Sequence, residues 1–468
     1  MKRCRVREPH LKLRSRSACV SVIVSCKQMV QMNILLVYNA TQTYTNTVFE
    51  HLACFARQSR HRFFFCHADQ YSEFSAELSR FAAVGLHYSV RLPFDQVSPS
   101  LGKALSEYGG AKFLFIQDEY DHTHRAWHWI KQLGFHLVFT VVPTRQIEKI
   151  YPTAEFPGVR FVSNLTGYVP QHLGDAIPHL SPPSQRQLLI GYRGRPLPIR
   201  YGQLGIEKVA VGRMVKTYCD VHQISSDISW SEESRIYGPK WYEFMMSCRA
   251  MLGSESGSNV FDWDGSLGDR IADFRKEHPA TADESVYEKL VRPHEIDGAM
   301  NQVSPRVFEA IAFRTVLVLF EGSYSGVVQA GEHFIALRKD GSNLDEVVSR
   351  LQDGAYVDAM AERAYRDVIA SGKYSYQAFV LMVDEEIQRA VAGMPSDPGR
   401  LAAASDRNSL PDQPSSITTS PIRAVITDPA EVPSLARQLG YTLWARLPGN
   451  VRSELKPVLK RFIKGRRS

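Results

Sequence analysis

The strongest constraint on the fold is an alternation of short apolar runs with amphipathic stretches, which occurs in two series along the chain. The first series begins at residues 34–38, and the second begins at residues 187–191 after a passage rich in glycine and proline. Short β-rich runs that alternate with helical segments are typical of a parallel sheet covered by helices on both faces. The sequence therefore predicts an α/β protein with two Rossmann-like, doubly wound domains that face a central cleft.

The individual elements follow from the apolar runs and from the amphipathic stretches between them. We predict strands at residues 34–38, 62–66, 112–116, 136–142, 187–191, 250–252, 315–320 and 334–337. We predict helices at residues 45–57, 101–108, 125–133, 206–219, 241–248, 305–313, 343–351, 356–370 and 376–392. This order places one domain at residues 32–170 and the other at residues 187–372.

The remaining segments are predicted to connect or extend these two domains. Residues 171–186 form a linker, and residues 373–393 form a closing helix. Residues 394–422 are rich in proline, serine, aspartate and threonine, which is typical of a flexible, disordered linker. We expect residues 423–468 to be a basic helical tail and residues 1–31 to be a loose basic extension.

The net charge of +7 is concentrated at the two ends of the chain. Residues 1–31 carry eight Lys/Arg and one Glu, and residues 451–468 carry seven Lys/Arg and one Glu, so the body of the chain is mildly acidic. This distribution gives no reason to expect nucleic-acid binding. The 451–468 segment predicts either peripheral contact with an anionic membrane surface or a solvated helix. The first 31 residues are either a loose tail or sequence upstream of a start at Met32, with organelle targeting as the alternative.

Cysteine usage and hydropathy indicate the compartment. The seven cysteines are scattered and form no CxxC pair, which is typical of reduced thiols in a cytosolic protein. No stretch of the sequence approaches the roughly 20 apolar residues that a membrane-spanning helix needs. We therefore expect the chain in the cytoplasm, or at the inner face of the membrane through its basic tail.

Glycines and basic residues cluster directly after the first strand of the second domain. The run from Gly191 to Lys208 holds four glycines together with Arg195 and Arg200, and a helix is predicted to begin near Gly205. Free amides at a helix N-terminus favour a phosphate, and the basic side chains would add charge-assisted hydrogen bonds to a diphosphate. The alternative interpretation is a turn with solvated arginines.

A helix start and a small-residue loop flank the apolar strand predicted at residues 315–320. Ser304 suits the N-cap of that helix, Pro305 suits its first position, and Glu309 lies one turn inside it. From there the Glu309 carboxylate can accept two hydroxyl hydrogen bonds from a ribose. The 322–326 loop after the strand predicts a second set of amides that could hold an oxyanion.

An acidic cluster also follows the predicted strand at residues 250–252. Glu255 is a candidate contact with a nucleotide or a sugar. Asp262 and Asp264 resemble half of a calcium loop, but the other ligands at the required spacing are missing. We therefore predict an Asx-rich turn there, and no metal site.

A second acidic cluster follows the predicted strand at residues 112–116, in the first domain. Asp118, Glu119 and His122 are candidate catalytic residues, because one of them could act as a general base or bind an acceptor hydroxyl at the cleft. The alternative is a helix N-terminus that favours acidic residues through its dipole.

The order of motifs in the second domain resembles a known enzyme family. The run S-P-R-V-F-E-A-I-A at residues 304–312 is followed by an apolar strand and then by G-S-Y-S-G at residues 322–326. This order is similar to the C-terminal domain of GT-B glycosyltransferases, in the group 1 or family 4-like branch of bacterial surface-glycan pathways. The resemblance covers residues 32–393 in architecture and residues 185–352 in motif.

The resemblance implies roles for individual residues. Glu309 takes the second position of the family's E-x7-E motif, which holds the donor ribose, whereas Asn301 stands where the family has the first glutamate. Arg195 and Lys208 lie near the family's basic pair on the donor diphosphate. The whole donor site implied in this way is Arg195, Lys208, Glu255, Asn301, Ser304, Arg306, Glu309, Tyr324, Ser325 and Gly326.

The function implied is transfer of a sugar from a nucleotide-diphosphate donor to a hydroxyl of a glycan, lipid-linked or protein acceptor in polysaccharide biosynthesis. By the same resemblance, the transfer retains the anomeric configuration and needs neither a metal nor another cofactor, since basic side chains stabilise the leaving diphosphate. Residues 32–170 are then the acceptor domain and residues 187–372 the donor domain. Two alternatives stay open: a nucleotide-sugar epimerase, and a non-catalytic module that binds a nucleotide-sugar, a membrane or a partner.

Overall fold

The computed structural model describes residues 31–41, 46–174, 180–395 and 398–405. The strands are β1 (Asn33–Tyr38), β2 (Arg62–His67), β3 (Ala83–Leu86), β4 (Ala111–Ile116), β5 (Leu137–Thr140), β6 (Arg160–Ser163), β7 (Leu188–Arg193), β8 (Ser226–Ser229), β9 (Cys248–Gly253), β10 (Val316–Phe320) and β11 (Ile335–Leu337). The helices of the first domain and its junction are α1 (Asn46–Gln58), α2 (Pro99–Glu107), α3 (Thr123–Leu133), α4 (Ile147–Ile150) and α5 (Gln171–Gly174). The later helices are α6 (Gly202–His222), α7 (Pro239–Ser247), α8 (Leu267–Glu277), α9 (Asp283–Val286), α10 (Pro305–Ala312), α11 (Leu344–Gln352), α12 (Gly354–Ala364), α13 (Tyr376–Ala392) and α14 (Pro398–Ser405).

The strands form two separate parallel sheets. The first sheet has the order β2-β1-β3-β4-β5-β6, and the second has the order β11-β10-β9-β7-β8. Every paired strand in both sheets runs parallel to its neighbour. The predicted α/β fold with two doubly wound sheets is therefore confirmed. In each sheet the strand order reverses once, between β1 and β3 and between β7 and β9, and ligands of such sheets bind at the carboxyl ends of the strands at that point.

Helices cover both faces of each sheet, because alternate residues of a strand point to opposite faces. In β1, Leu35 packs in one apolar cluster with residues of α2 and α3, whereas Leu36 packs in another with residues of α1 and α13. In the second sheet, one cluster includes residues of α6, α11 and α12, and the other includes residues of α7 and α10. The predicted burial of short apolar strands between two helical layers is confirmed.

The last long helix joins the two domains. It begins at Tyr376, after the second domain, and packs Phe379 and Val383 into the core of the first domain. Phe379 is 2% exposed and stacks on Tyr168, with ring centroids 4.4 Å apart. The helix predicted at residues 376–392 is confirmed at both ends, and its apolar face is buried on the first sheet.

A long segment between β9 and α10 also contacts the first domain. Phe261 and Met300 of this segment are buried in the core of the first domain. The amide of Asp262 donates to the carbonyl of Tyr120 over 2.8 Å. Within the same segment, the Asp262 carboxylate accepts the amide of Gly265, and Asp264 likewise accepts that of Ser266, both over 2.9 Å. The predicted Asx-rich turn is therefore confirmed, and it forms part of a contact between domains.

The structure differs from the sequence prediction at the end of the described chain. Residues 398–405 form α14 inside the segment predicted to be a disordered linker, and Ala404 of this helix is buried against the first domain. The predictions for residues 1–30 and for the tail at 423–468, including the membrane contact of 451–468, fall outside the described residues. Within the described ranges, no helix is both long enough and apolar enough to cross a membrane.

The packing of α13 gives a prediction about stability. Replacing Phe379 by alanine leaves a cavity in the core of the first domain, so we expect the free energy of unfolding to fall by about 3 kcal/mol or more. The matched control is Leu381→Ala in the same helix, because Leu381 is 38% exposed and its loss should cost less than about 1 kcal/mol. Denaturant unfolding of both variants measures the difference, and equal effects would contradict the burial of α13 on the first sheet.

Candidate functional site

A pocket of about 220 Å³ lies where the order of the second sheet reverses. Apolar side chains such as Met251, Leu317 and Leu319 line one part of it. Its polar lining comes from Arg195 and Lys208 after β7, Ser254 and Ser256 after β9, and Ser304 and Arg306 at the start of α10. We call this space the switch-point pocket. Four of its polar residues, Arg195, Lys208, Ser304 and Arg306, are among those predicted to bind a donor.

Lys208 supplies a half-buried ammonium group to the switch-point pocket. Its Nζ donates to the backbone carbonyl of Glu255 and to the hydroxyl of Ser256, both over 2.9 Å. Both acceptors are neutral. Burial, together with the nearby charge of Arg306, lowers the pKa of Lys208 to about 8. An anion in the pocket would therefore be the natural partner of this lysine.

Two arginines add positive charge at the pocket. Arg306 donates to the backbone carbonyl of Arg193 over 2.5 Å and lies over the ring of Trp241, 5.0 Å from its centroid. Arg195 is exposed at the pocket. Within the described part of the chain, neither these arginines nor Lys208 lies within ion-pairing distance of a carboxylate. None of the three basic groups is held in an ion pair, so all three are available to an anionic ligand.

The first turn of α10 faces the same pocket. Ser304 occupies the N-cap position and Pro305 begins the helix, as predicted. Among the described residues, no amide donates a capping hydrogen bond to the Ser304 side chain. Ser304, Arg306 and Val307 all line the pocket, so the positive end of the helix dipole and its side chains converge there.

Glu309, the predicted ribose ligand, lies one turn further along α10. Its Oε2 accepts a hydrogen bond from Nε1 of Trp241 over 2.9 Å, and Trp241 itself lines the switch-point pocket. Burial raises the pKa of Glu309, while the Trp241 hydrogen bond and Arg306 act in the opposite direction. The pKa of Glu50 in α1 is raised to about 6, mainly by burial and secondly by the negative charge of Glu309. Glu309 is therefore beside the pocket and close to the first domain.

In each of the two segments whose amides the sequence predicts for phosphate, a carboxylate of the chain itself accepts amide hydrogen bonds. Oε1 of Glu255 accepts the amides of Ser323 and Tyr324 over 3.0 and 2.7 Å. Oε1 of Glu295 accepts the amide of Gln203 in the first turn of α6 over 2.6 Å. The first turn of α10, by contrast, opens on the basic pocket.

Asn301 lies beside Glu255 in the structure. Its Nδ2 donates to Oε2 of Glu255 over 2.5 Å, and its Oδ1 accepts from Asn259 over 2.7 Å. Glu255 and Asn301 line a second, polar cavity of about 470 Å³, to which the first domain contributes Arg145. We call this space the interdomain cavity. Ser254 and Ser256 line the switch-point pocket, so the two spaces flank the same short segment after β9.

The three predicted catalytic residues of the first domain are separated from these spaces. Asp118 is exposed, and its carboxylate accepts from the hydroxyl of Tyr120 over 2.9 Å. Glu119 is fully buried and accepts from the hydroxyl of Thr140. His122 packs edge-on against a phenylalanine. The described residues that line the switch-point pocket and the interdomain cavity include none of these three.

The 117–124 loop instead connects the domains. Asp121 forms an ion pair with Arg200, and the amide of His124 donates to the carbonyl of Trp263 over 2.9 Å. Arg200, which the sequence suggests for the diphosphate, is therefore engaged by the first domain.

Sequence reasoning also missed Trp241, because a single aromatic residue before a strand carries no signal of its own.

Among the described residues, no group of three or more His, Cys, Asp or Glu side chains is arranged to hold a metal ion. The cysteines within the described ranges, Cys54, Cys66, Cys219 and Cys248, are buried free thiols.

The chain is similar to several solved structures at low identity. One, from E. coli, is described as trehalose-6-phosphate bound with UDP-2-fluoro glucose (10% identity, TM-score 0.43, 76% of this chain and 99% of the other). Another is an alpha-glucosyltransferase in complex with UDP-glucose and DNA (11% identity, TM-score 0.41, 76% and 99%). A third is TarM (10% identity, TM-score 0.39). The match covers 67% of this chain and 55% of TarM.

Neither a protein-family model nor a curated protein sequence matches the chain. The likenesses to solved structures are too distant to establish a function. A function for this chain therefore depends on the geometry and charge of its own pocket.

The burial of Glu119 gives a prediction about pH and stability. Burial raises the pKa of Glu119 to about 8, whereas the unfolded carboxyl loses its proton near 4.5. Between these values the folded state holds one proton more, so the contribution of Glu119 to stability falls as pH rises from about 4.5 to 8. Glu119→Gln keeps the acceptor for Thr140 and should remove this decline. At pH 8 we expect the variant to be more stable than the unchanged chain by about 1–3 kcal/mol.

Denaturant unfolding between pH 5 and pH 8 measures this difference. The control is Glu107→Gln, because Glu107 is exposed on α2 and its substitution should change stability by less than about 0.5 kcal/mol. If the free energy of unfolding changes with pH by the same amount in Glu119→Gln and in the unchanged chain, Glu119 is not a buried, protonated carboxyl.

Proposed function

We propose that the chain is a glycosyltransferase that moves a sugar from a nucleotide-diphosphate donor to a hydroxyl acceptor. The observation that carries this proposal is the switch-point pocket, where Lys208, Arg195 and Arg306 meet the N-terminus of α10 without a carboxylate partner. A diphosphate supplies the negative charge that this lining favours. The position at the reversal of a parallel sheet is one where such folds bind nucleotides.

The basic residues would also assist the chemical step. When the bond between the anomeric carbon and the diphosphate oxygen breaks, negative charge increases on the leaving diphosphate. Lys208, Arg195 and Arg306 would stabilise that charge, and this role requires no divalent metal. The resemblance to the family 4-like branch supports retention of the anomeric configuration, which we include in the proposal.

The neighbouring residues suit the other parts of the donor and the acceptor. We propose that Glu309, positioned by Trp241, accepts hydrogen bonds from the ribose. The interdomain cavity is polar, so we assign the sugar to it, with Glu255 and Asn301 as ligands of its hydroxyls. The carboxylate that the family has at the position of Asn301 would then come from Glu255. The loop after β10 lines this cavity through residues 321–323, and Tyr324, Ser325 and Gly326, the next residues of the loop, would support that lining from behind.

The acceptor would enter from the first domain. Of the three candidates after β4, Asp118 is exposed and Glu119 is fully buried, and none of the three lines the interdomain cavity. We therefore assign to Asp118, ahead of Glu119 and His122, a contact with a part of the acceptor that is remote from the reacting hydroxyl. A glycan, lipid-linked or protein acceptor in surface-polysaccharide synthesis fits the proposal. An epimerase would turn over the donor without an acceptor, and a non-catalytic module would bind the donor without turnover.

Isothermal calorimetry with UDP, GDP, ADP and CDP tests the donor site. We expect one diphosphate to bind best, and Lys208→Met to weaken it about 10- to 100-fold because a charged hydrogen-bonding group is lost. Glu309→Ala should weaken the nucleotide as well. Since the pKa of Lys208 is about 8 and only the ammonium form attracts the anion, affinity should fall as pH rises from about 7 to 9.

The matched control for Lys208→Met is Arg213→Met. Arg213 is exposed on the same helix and lies over Trp230, outside the pocket lining. This control should change the affinity less than twofold, and adding EDTA should change it equally little. If a well-folded chain binds none of the four diphosphates, or if both variants bind them equally well, the donor site is not the switch-point pocket.

A further inference from the structure

Gln302 lies between the two domains and next to both proposed ligand spaces. It is 2% exposed and directly precedes the turn into α10. Its backbone pairs with Ser256, with hydrogen bonds of 2.7 and 2.9 Å between the two residues. Its side-chain amide donates to the backbone carbonyl of Val141, which belongs to the first domain. A buried side chain of the second domain therefore completes a hydrogen bond only when the first domain is in place.

The other end of the Gln302 side chain holds the loop after β10. Its Oε1 accepts the hydroxyl of Ser325 over 3.0 Å, and that hydroxyl in turn accepts the amide of Val303 over 3.0 Å. Tyr324 and Ser325 have φ values of 46° and 55°, a left-handed conformation that non-glycine residues rarely adopt. Such a conformation persists only where the surrounding contacts fix it. Gln302 is one of those contacts.

The backbone of Gln302 leads to the basic pocket. Ser256, its pairing partner, accepts a hydrogen bond from Lys208 over 2.9 Å. Gln302 is thus connected through one hydrogen bond to the first domain, through a second to the strained loop, and through Ser256 to Lys208. These three connections meet in a buried region where an unmatched polar group is costly.

We propose that Gln302 is a positioning residue that couples the seating of the first domain to the shape of the donor site. The proposal rests on the proposed function of the switch-point pocket. When the carbonyl of Val141 is in place, the Gln302 amide is satisfied and its Oε1 holds Ser325, so the loop keeps its left-handed turn and Ser256 stays aligned with Lys208. When the domains separate, the side chain loses its acceptor and the loop is released. Donor binding and domain seating then favour each other reciprocally.

Hydrogen–deuterium exchange on the ligand-free chain tests the loop connection. Gln302→Met keeps the length of the side chain but removes both hydrogen bonds. We expect the amides of Ser323–Gly326 to exchange at least tenfold faster in this variant. Gln146→Met is the matched control, because the same Gln-to-Met change removes another interdomain hydrogen bond, the one from the Gln146 amide to the carbonyl of Asp297 over 3.0 Å, which involves neither Val303 nor the loop. This control should leave the exchange of the loop unchanged.

Calorimetry with UDP, GDP, ADP and CDP tests the coupling to the donor. The best-bound diphosphate should bind about tenfold more weakly to Gln302→Met, which corresponds to about 1.4 kcal/mol. Ser325→Ala should weaken it similarly. The double variant should be no weaker than the single ones, because both remove the same connection. A residue that only adds stability would lower the free energy of unfolding without changing the affinity of the folded chain for the diphosphate.

The outcomes separate the two claims. If the unchanged chain binds a diphosphate but Gln302→Met shows unchanged affinity and unchanged loop exchange, the coupling is overturned while the proposed function stands. Additive effects of the two substitutions would likewise overturn the coupling. If the unchanged chain binds none of the four diphosphates, the proposed function falls, and the donor-binding role of Gln302 falls with it.

Discussion

The arrangement of the second domain depends on one buried carboxylate, that of Glu255. It is 4% exposed, and it accepts hydrogen bonds from the amides of Ser323 and Tyr324 and from the side chain of Asn301. Its backbone carbonyl accepts from Lys208. A buried carboxylate is tolerated only when polar donors surround it. Glu255 therefore fixes the end of β9, the loop after β10 and the ammonium group of α6 relative to one another.

The contacts of Glu255 leave some groups of the site with an acidic partner and others without an ion pair. The amides that follow β10 are already matched by Glu255, whereas Lys208 and Arg306 face the switch-point pocket without an acidic partner. We therefore place the diphosphate of the proposed donor in that pocket. The motif alone assigns the loop after β10 to phosphate. Because Glu255 already accepts hydrogen bonds from the amides of this loop, we assign the loop instead to the part of the site that holds the sugar of the donor.

Sequence reasoning found the parts of the fold that rest on local pattern. The apolar runs of β1, β4 and β10 and the helix α13 are readable because each is a continuous apolar run or amphipathic stretch. Three strands of four residues, β3, β6 and β8, were missed. The edge strands β6 and β8 carry polar side chains and are specified by the sheet edges that they join, and β3 is too short to show a pattern of its own.

The candidate site divides in the same way. Lys208 and Arg306 could be predicted because a motif order points to them. The roles of Trp241 and Gln302 could not, since their partners Glu309 and Val141 are 68 and 161 residues away along the chain. The full burial of Glu119 could not be predicted from the sequence either, because it depends on how Thr140 of a neighbouring strand packs. Long-range contacts, which no local pattern encodes, decided each of these cases.

The most direct test of the account is a crystal structure of the chain with the nucleoside diphosphate that it binds best. The account predicts diphosphate oxygens within hydrogen-bonding distance of Nζ of Lys208 and of the Arg306 guanidinium, at the N-terminus of α10, with the ribose beside Glu309. A diphosphate bound at the carboxyl ends of β1 and β3 in the first domain, or in the interdomain cavity away from Lys208, would contradict it.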